Sequence, residues 1–266
     1  GNMQLSAGSM RIGEGVTISS GDSVELDISD QLNNQGGQLT AVDSLLIHAA
    51  ALENLAGTIG SGDRVRINTL SLYNQGLLFS GADMFLYRDS LTNRYGDIYS
   101  LGSLHIAKNA EGEQSSLVEN RSGSIESSGD MSLSAAVLSN RKERFALGRE
   151  QVSGSISMLC MDCSGDHFNV DFVATEVFDL MASEDSAAAR IHSGGDLTIH
   201  GGSVSNQYSS LSAIGALSIS SNTLSNLGAE AGVIEHKLRV NTGRTNDGDV
   251  VRLLQNYVNP YNAAAL

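Results

Sequence analysis

A Leu-x-Asn or Val-x-Asn triplet recurs along this chain and limits what it can fold into. It appears as Leu32-Asn33-Asn34, Leu52-Glu53-Asn54, Leu72-Tyr73-Asn74, Leu91-Thr92-Asn93, Val118-Glu119-Asn120 and Leu138-Ser139-Asn140. The Asn-to-Asn intervals are 20, 20, 19, 27 and 20 residues. A period that short and that steady is the mark of a solenoid. Each repeat is one small unit that can bury its apolar face only against its neighbours.

The repeats share an internal register. Eleven residues after each Asn stands a large apolar residue, with a second two places on. The pairs are Leu45 and Ile47, Val65 and Ile67, Phe85 and Tyr87, Leu104 and Ile106, Met131 and Leu133. A spacing of two puts both side chains on one face of a strand. Gly37, Gly57, Gly96 and Gly123 follow their Asn by three residues, and Leu39, Ile59, Ile98 and Ile125 by five. The turn pairs Gly62-Asp63, Ala82-Asp83 and Gly129-Asp130 precede the double-apolar strands.

Each repeat therefore reads as strand, turn, strand, turn. Stacking pairs every backbone group with the coils above and below, and lets the Asn side chains form ladders along the axis. The fold class expected is all-β, a right-handed parallel β-helix. A leucine-rich repeat fits less well, because its longer Leu pattern is missing.

The regular pattern covers 32–140, with an incomplete first coil over 4–31. Lys108 to Gln114 makes one interval 27 residues long and reads as a polar loop on a coil corner. After Asn140 the pattern stops. The segment 141–190 is expected to be an irregular insert with two strands, 156–160 and 168–172, paired as a hairpin. Val173, Val177, Leu180 and Met181 at helical spacing, followed by Ala187 to Ala189, predict a short helix over about 174–189. Repeats resume over 191–266: Leu197 and Ile199, then Asn206 with Leu217 and Ile219, then Asn226 with Leu238 and Val240 behind it. Leu253 to Asn256 reads as a last register mark, and the tail from Pro260 stays undefined. Gly1-Asn2-Met3 reads as a cloning remnant and the chain starts in mid-pattern, as a piece of a longer protein would.

A single proline leaves the backbone ladders uninterrupted. The net charge of −14 argues against nucleic-acid binding and against docking on anionic lipid. No apolar run is long enough to span a bilayer. Ser is too common for any Ser-His-Asp set to stand out, and His48, His105, His192 and His200 read as surface or corner residues. Asp63, Asp83, Asp97 and Asp130 could form a carboxylate cluster of a carbohydrate-active β-helix. Turn positions, where an Asp side chain bonds nearby backbone, explain them more simply. No cofactor, no metal and no enzymatic activity is expected.

Cys160-Met161-Asp162-Cys163, with His167 close behind, is the one cysteine motif. A disulfide at Cys160 and Cys163 is favoured over a zinc site, a redox pair or free thiols. Zinc lacks a convincing fourth ligand, and a thioredoxin-like site lacks its βαβ context.

The repeats resemble those of the filamentous haemagglutinin family, large exoproteins of two-partner secretion systems in Gram-negative bacteria. The best match is Leu32-Asn33-Asn34-Gln35-Gly36-Gly37-Gln38-Leu39 with Leu45 and Ile47. The resemblance covers about 32–140 and 191–257. The break at Asn140-Arg141-Lys142-Glu143-Arg144-Phe145 is similar to the junction in contact-dependent growth inhibition effectors of the CdiA type. There a haemagglutinin-repeat stalk leads into a receptor-binding region.

That resemblance implies a monomeric, cell-surface fragment. Its parent would leave the cell through an outer-membrane transporter partner and bind an outer-membrane protein receptor on a neighbouring bacterium. A host-cell or matrix adhesin would share the repeats equally well. Specific contacts usually lie on irregular segments held by a rigid scaffold. Arg141, Lys142, Arg144, Phe145, Phe168, Phe172 and Phe178 are the candidate receptor contacts, since Arg and aromatic residues dominate interface energetics.

Overall fold

The computed structural model describes residues 1–264. Contacts divide them into two units. One is Gly1–Arg144 with Ser186–Gly228; the other is Phe145–Asp185 with the residues from Ala229 on.

The first unit is a parallel β-helix. Long strands such as Leu45–Leu55, Val65–Asn74 and Met84–Arg94 lie in an eleven-stranded sheet. Short ones such as Thr58–Ser61, Leu77–Ser80 and Asp97–Ser100 form an eight-stranded sheet. Neighbouring coils pair in parallel, with Leu45 beside Val65, Leu52 beside Leu72 and Ile59 beside Leu78. Inward rows of Leu, Ile and Val stack into one continuous core. Leu26, Ile47, Ile67, Leu86, Ile106, Leu133 and Ile199 make one such row, all buried. Met3–Ala7 pairs with Val24–Gln35 as the incomplete first coil.

The Asn triplet has a physical cause. Asn34, Asn54, Asn74, Asn93, Asn120, Asn140 and Asn206 each donate from Nδ2 to the Oδ1 of the next Asn, at 2.7–2.9 Å, ending on Asn226. The same Nδ2 also meets carbonyls of its own turn and of the next coil, as Asn93 does with Gly96 and Ser124. Buried amides are thereby paired along the axis, apart from the Oδ1 of Asn34 at the ladder's first position. The ladder also explains the glycine three residues on. A Cβ at Gly57 would sit 2.2 Å from Asn34 Nδ2, and one at Gly123 would sit 2.4 Å from Asn93 Nδ2.

One part of the expected register is wrong. Phe85 and Tyr87 point outward, and Met84 and Leu86 fill the core in their place. The 19-residue interval lacks one residue at the corner after Asn74. Other corners place a left-handed residue two after the Asn: Gly36, Ala56, Tyr95, Ser122 and Tyr208. In the Asn74 coil the glycine itself follows after two, so everything beyond it slips by one and changes face.

The 27-residue interval splits a strand into Leu104–Ala107 and Ser115–Arg121, with the polar loop between them.

The second unit is a three-stranded antiparallel sheet of Phe145–Asp162, His167–Asp185 and Gly232–Asn246, with His167–Asp185 in the middle. The expected short helix over 174–189 is instead the end of that middle strand. β-Branched and aromatic residues (Val170, Phe172, Val173, Thr175, Val177, Phe178) favour the strand, and pairing on both sides overrides the helical spacing. Repeats do not resume through to the end of the chain. The solenoid's last strand is Leu217–Leu227, and Leu238 and Val240 lie exposed in the third strand of the sheet. Leu238 follows Asn226 by twelve residues rather than eleven, and that slip is visible in the sequence. The mark at Leu253–Asn256 is helical: Asp247–Leu253 runs into a π-helical turn, Leu254–Val258, and then Asn259–Ala264.

Candidate recognition surface

The seven candidate contacts divide between the two units. Arg141, Lys142 and Arg144 belong to the solenoid, where Arg141 is tied to a carboxylate. Arg94, Arg121 and Arg141 stack in one row of adjacent coils. Glu119 lies between two of them, with Oε2 at 2.7 Å from Arg121 Nη2 and Oε1 at 3.1 Å from Arg141 Nη2. Glu143 holds Arg94 at 3.0 Å and Arg121 at 3.8 Å. Burial pushes the Glu119 carboxyl up, but the hydrogen bonds and charges of Arg121 and Arg141 together hold it below the usual glutamate range. Arg141 thus braces the coils. Lys142 is half-buried and Arg144 exposed.

The chain leaves and re-enters the solenoid through a clamp. Arg144 N–H donates to Ser186 Oγ at 3.0 Å, and Ser186 N–H donates back to the Arg144 carbonyl at 3.0 Å. Ser122 Oγ meets Ser186 Oγ at 2.9 Å and donates to the Ala187 carbonyl at 2.6 Å. Ala189 and Ile191 are already buried in the solenoid, so the insert ends at Asp185 and not at 190.

Phe145, Phe168, Phe172 and Phe178 lie in the antiparallel sheet, each half-buried. Phe178 is sandwiched: the Arg149 guanidinium lies 5.5 Å from its centroid and the His236 ring 5.4 Å away. Arg149 and His236 come from the two flanking strands, so the sheet assembles this group from residues far apart in sequence. Cys160 and Cys163 form a disulfide at the hairpin end, where Arg244 Nη1 donates to Asp162 Oδ2 at 2.8 Å. His167 pairs with Asp166.

The exposed apolar residues of this sheet were not foreseen. Leu159 and Met161 beside the disulfide are 50 % and 56 % exposed, and Val233, Leu238 and Val240 lie open on the third strand. Alternation marks Leu159 and Met161 as facing opposite ways from Cys160, but only the pairing partners decide which face is covered.

The acidic candidates divide. Asp83 and Asp130 accept backbone N–H bonds from Ser103 and Asp196 of the following coil, as turn residues do. Asp97 opens a strand instead, and burial and then Glu126 raise its pKa. Among the described residues no three His, Cys, Asp or Glu side chains converge on a metal-sized site. Among the described residues no helix is long and apolar enough to cross a membrane.

A ladder-stapled β-helix of this repeat length defines a class. The haemagglutinin repeat model matches residues 1–112, 90–150 and 180–251, and the chain belongs to that family. Among curated proteins it is 27 % identical to toxin CdiA of Escherichia coli over 228 residues, 75 % of this chain. It is 32 % identical over 144 residues, 54 % of the chain, to the deoxyribonuclease CdiA of Dickeya dadantii strain 3937. It is also 30 % identical over 115 residues, 42 % of the chain, to a tRNA nuclease CdiA of Escherichia coli O6:K15:H31. The chain spans only 7 %, 4 % and 4 % of the lengths of these relatives. No solved structure matches it.

Proposed function

We propose that this chain is a stalk segment of a secreted, cell-surface exoprotein, and that its second unit binds an outer-membrane protein receptor on a neighbouring bacterium. One observation carries the reading. The Asn ladder passes from Asn140 directly to Asn206, so the solenoid stays continuous while the chain makes an excursion of a different architecture. A regular solenoid repeats one shape and supplies length. The excursion supplies a unique surface with exposed apolar residues, an Arg-aromatic sandwich and a disulfide-closed hairpin end. The region acts without catalysis. The nuclease activities in the relatives' names belong to those proteins, of which this chain spans a few per cent. The parent would be exported by an outer-membrane transporter partner.

The test is binding of the labelled chain to Gram-negative cells and to mammalian cells. A solenoid-only variant is made by replacing 145–185 with a Gly-Ser linker and ending the chain at 228. It should keep its β circular-dichroism signal and lose bacterial binding. Deleting one coil, Leu52 to Ser71, should leave binding intact. Binding that survives in the solenoid-only variant, or that prefers mammalian cells, would sink the proposal and favour an adhesin.

A further inference from the structure

We infer that the second unit carries a self-association edge: Gly232–Asn246 pairs antiparallel with the same strand of a second copy, about a two-fold axis at His236. The inference goes beyond the receptor reading and does not depend on it. It departs from the monomer that the sequence resemblance implies.

The two edges of the three-stranded sheet differ. The edge of Phe145–Asp162 is blocked near its middle. Asn262 Oδ1 accepts from the Ile156 N–H at 2.7 Å, and Asn262 Nδ2 donates to the Ile156 carbonyl at 2.8 Å, the pair of bonds a neighbouring strand would make. Gln151 Nε2 adds a bond to Tyr261 Oη at 3.2 Å. Gly232–Asn246 pairs with the middle strand alone, and among the described residues no other strand borders it. Val233 and Leu238 are 64 % exposed and Val240 52 %. An open edge of that length offers its backbone groups to any strand that fits.

The strand's own geometry limits the fit. Its ladder with the middle strand is unbroken from Gly232 to Asn241. A bulge follows, where Gly243 is left-handed at φ 63°, and a bulge bends the strand and ends the straight edge. In a two-fold antiparallel pair, residues equidistant from the axis lie opposite each other on one face. Axes at His236 and at Lys237 overlap the straight stretch almost fully.

Charge decides between those registers. An axis at Lys237 sets that residue against its own copy, and like charges directly opposite are destabilising. An axis at His236 sets Glu235 opposite Lys237 of the second copy, and Lys237 opposite its Glu235. Lys237 Nζ already lies 2.6 Å from Glu235 Oε1 on its own strand, so the four side chains make a square of alternating sign. On the other face Ile234 meets Leu238 of the second copy, twice over. Gly232 meets Val240, a small residue against an exposed branched one. Positions at equal distance before and after His236 are thus complementary, which a two-fold partner requires and a foreign strand does not.

Sedimentation equilibrium of the full chain from about 1 to 200 µM tests this and should show a monomer–dimer equilibrium. Glu235→Lys, which makes the square wholly positive, should weaken the dimer at least ~10-fold. Glu235→Lys with Lys237→Glu rebuilds the square with its signs exchanged and should restore the dimer to within ~3-fold. His236→Cys should give a disulfide-linked dimer on mild oxidation, because opposed residues lie roughly 4.5–5.5 Å apart at Cα. Leu238→Cys, displaced from its own counterpart in this register, should not. Should Glu235→Lys melt early, the two cysteine variants decide. The inference is overturned by a monomer across the whole range, by a dimer that Glu235→Lys leaves unchanged or the exchange does not restore, or by Leu238→Cys linking in preference to His236→Cys. A chain that stays monomeric while Glu235→Lys loses bacterial binding gives this edge to the receptor instead.

Discussion

Asn140 Nδ2 donates to Asn206 Oδ1 at 2.8 Å across 66 residues of sequence, with the geometry of the pairs that lie 20 apart. The excursion therefore leaves no seam in the solenoid interior. Asn93 tests what that ladder contributes. Asn93→Leu removes its bonds to Gly96, Asn120 and Ser124, costs Asn74 Nδ2 one of its acceptors, and leaves the buried Asn120 Oδ1 without its donor. A loss of about 2–4 kcal/mol in urea unfolding is expected, since each buried orphan costs about 1–3 kcal/mol. A loss below that of a surface substitution would show the ladder to be incidental.

Register is tested where sequence and structure part. Ile67→Asp and Leu86→Asp place a charge in the core and should each cost about 3–5 kcal/mol or prevent folding. Ser71→Asp and Phe85→Ser face outward and should be nearly silent in thermal melts. Greater damage from Phe85→Ser than from Leu86→Asp would restore the register read from spacing.

The cysteines bracket a very small loop, so their bond constrains little of the unfolded chain. Thiol titration of the purified, non-reduced protein should find no free thiol. Cys160→Ser with Cys163→Ser should move the melting temperature by no more than ~2 °C. Two reactive thiols together with stoichiometric zinc would contradict the bond.

Glu119 sets a pH dependence with a defined sign. Its folded-state pKa lies below the ordinary value, so the folded state binds fewer protons. Its contribution is present above the ordinary glutamate range and is lost as pH falls through the lowered value. Glu119→Gln should cost about 1 kcal/mol near pH 7, and the gap from the unaltered protein should close as the solution is acidified to about pH 3. A gap that widens on acidification would show that Arg121 and Arg141 do not hold the carboxylate.

The solenoid was legible because its period, its Leu-x-Asn corners and its Gly-Asp turns all report one packing rule. The Phe85 slip was legible only in part. The 19-residue interval announces a missing residue, but not that it falls at the corner rather than beyond it. Leu238 and Val240 looked like core because apolar alternation is the same in a solenoid strand and in a half-covered antiparallel one. The helix expected over 174–189 failed for a related reason, since its strand pairs on one flank with the preceding hairpin strand, Ala174 beside Ile156, and on the other with a distant one, Ala174 beside Leu238, which leaves no local mark. The same slip hid the outward aromatic residues Phe85 and Tyr87, which spacing assigns inward. Arg88 lies buried in the solenoid at 1 % exposure, yet carries no sequence signal that would separate it from a surface arginine.

The Asn140 hand-off also shapes how the solenoid grows. A coil added after its neighbour normally closes over about 20 residues, as from Asn120 to Asn140. The next must gather 66 residues before its asparagine arrives. Loop-closure entropy makes that step about 1 kcal/mol harder than the others, even before the hairpin orders itself. Coil-by-coil assembly therefore meets its slowest addition there. Pulse-labelled hydrogen exchange during refolding should show coils up to Asn140 protected before those from Ile191 onward.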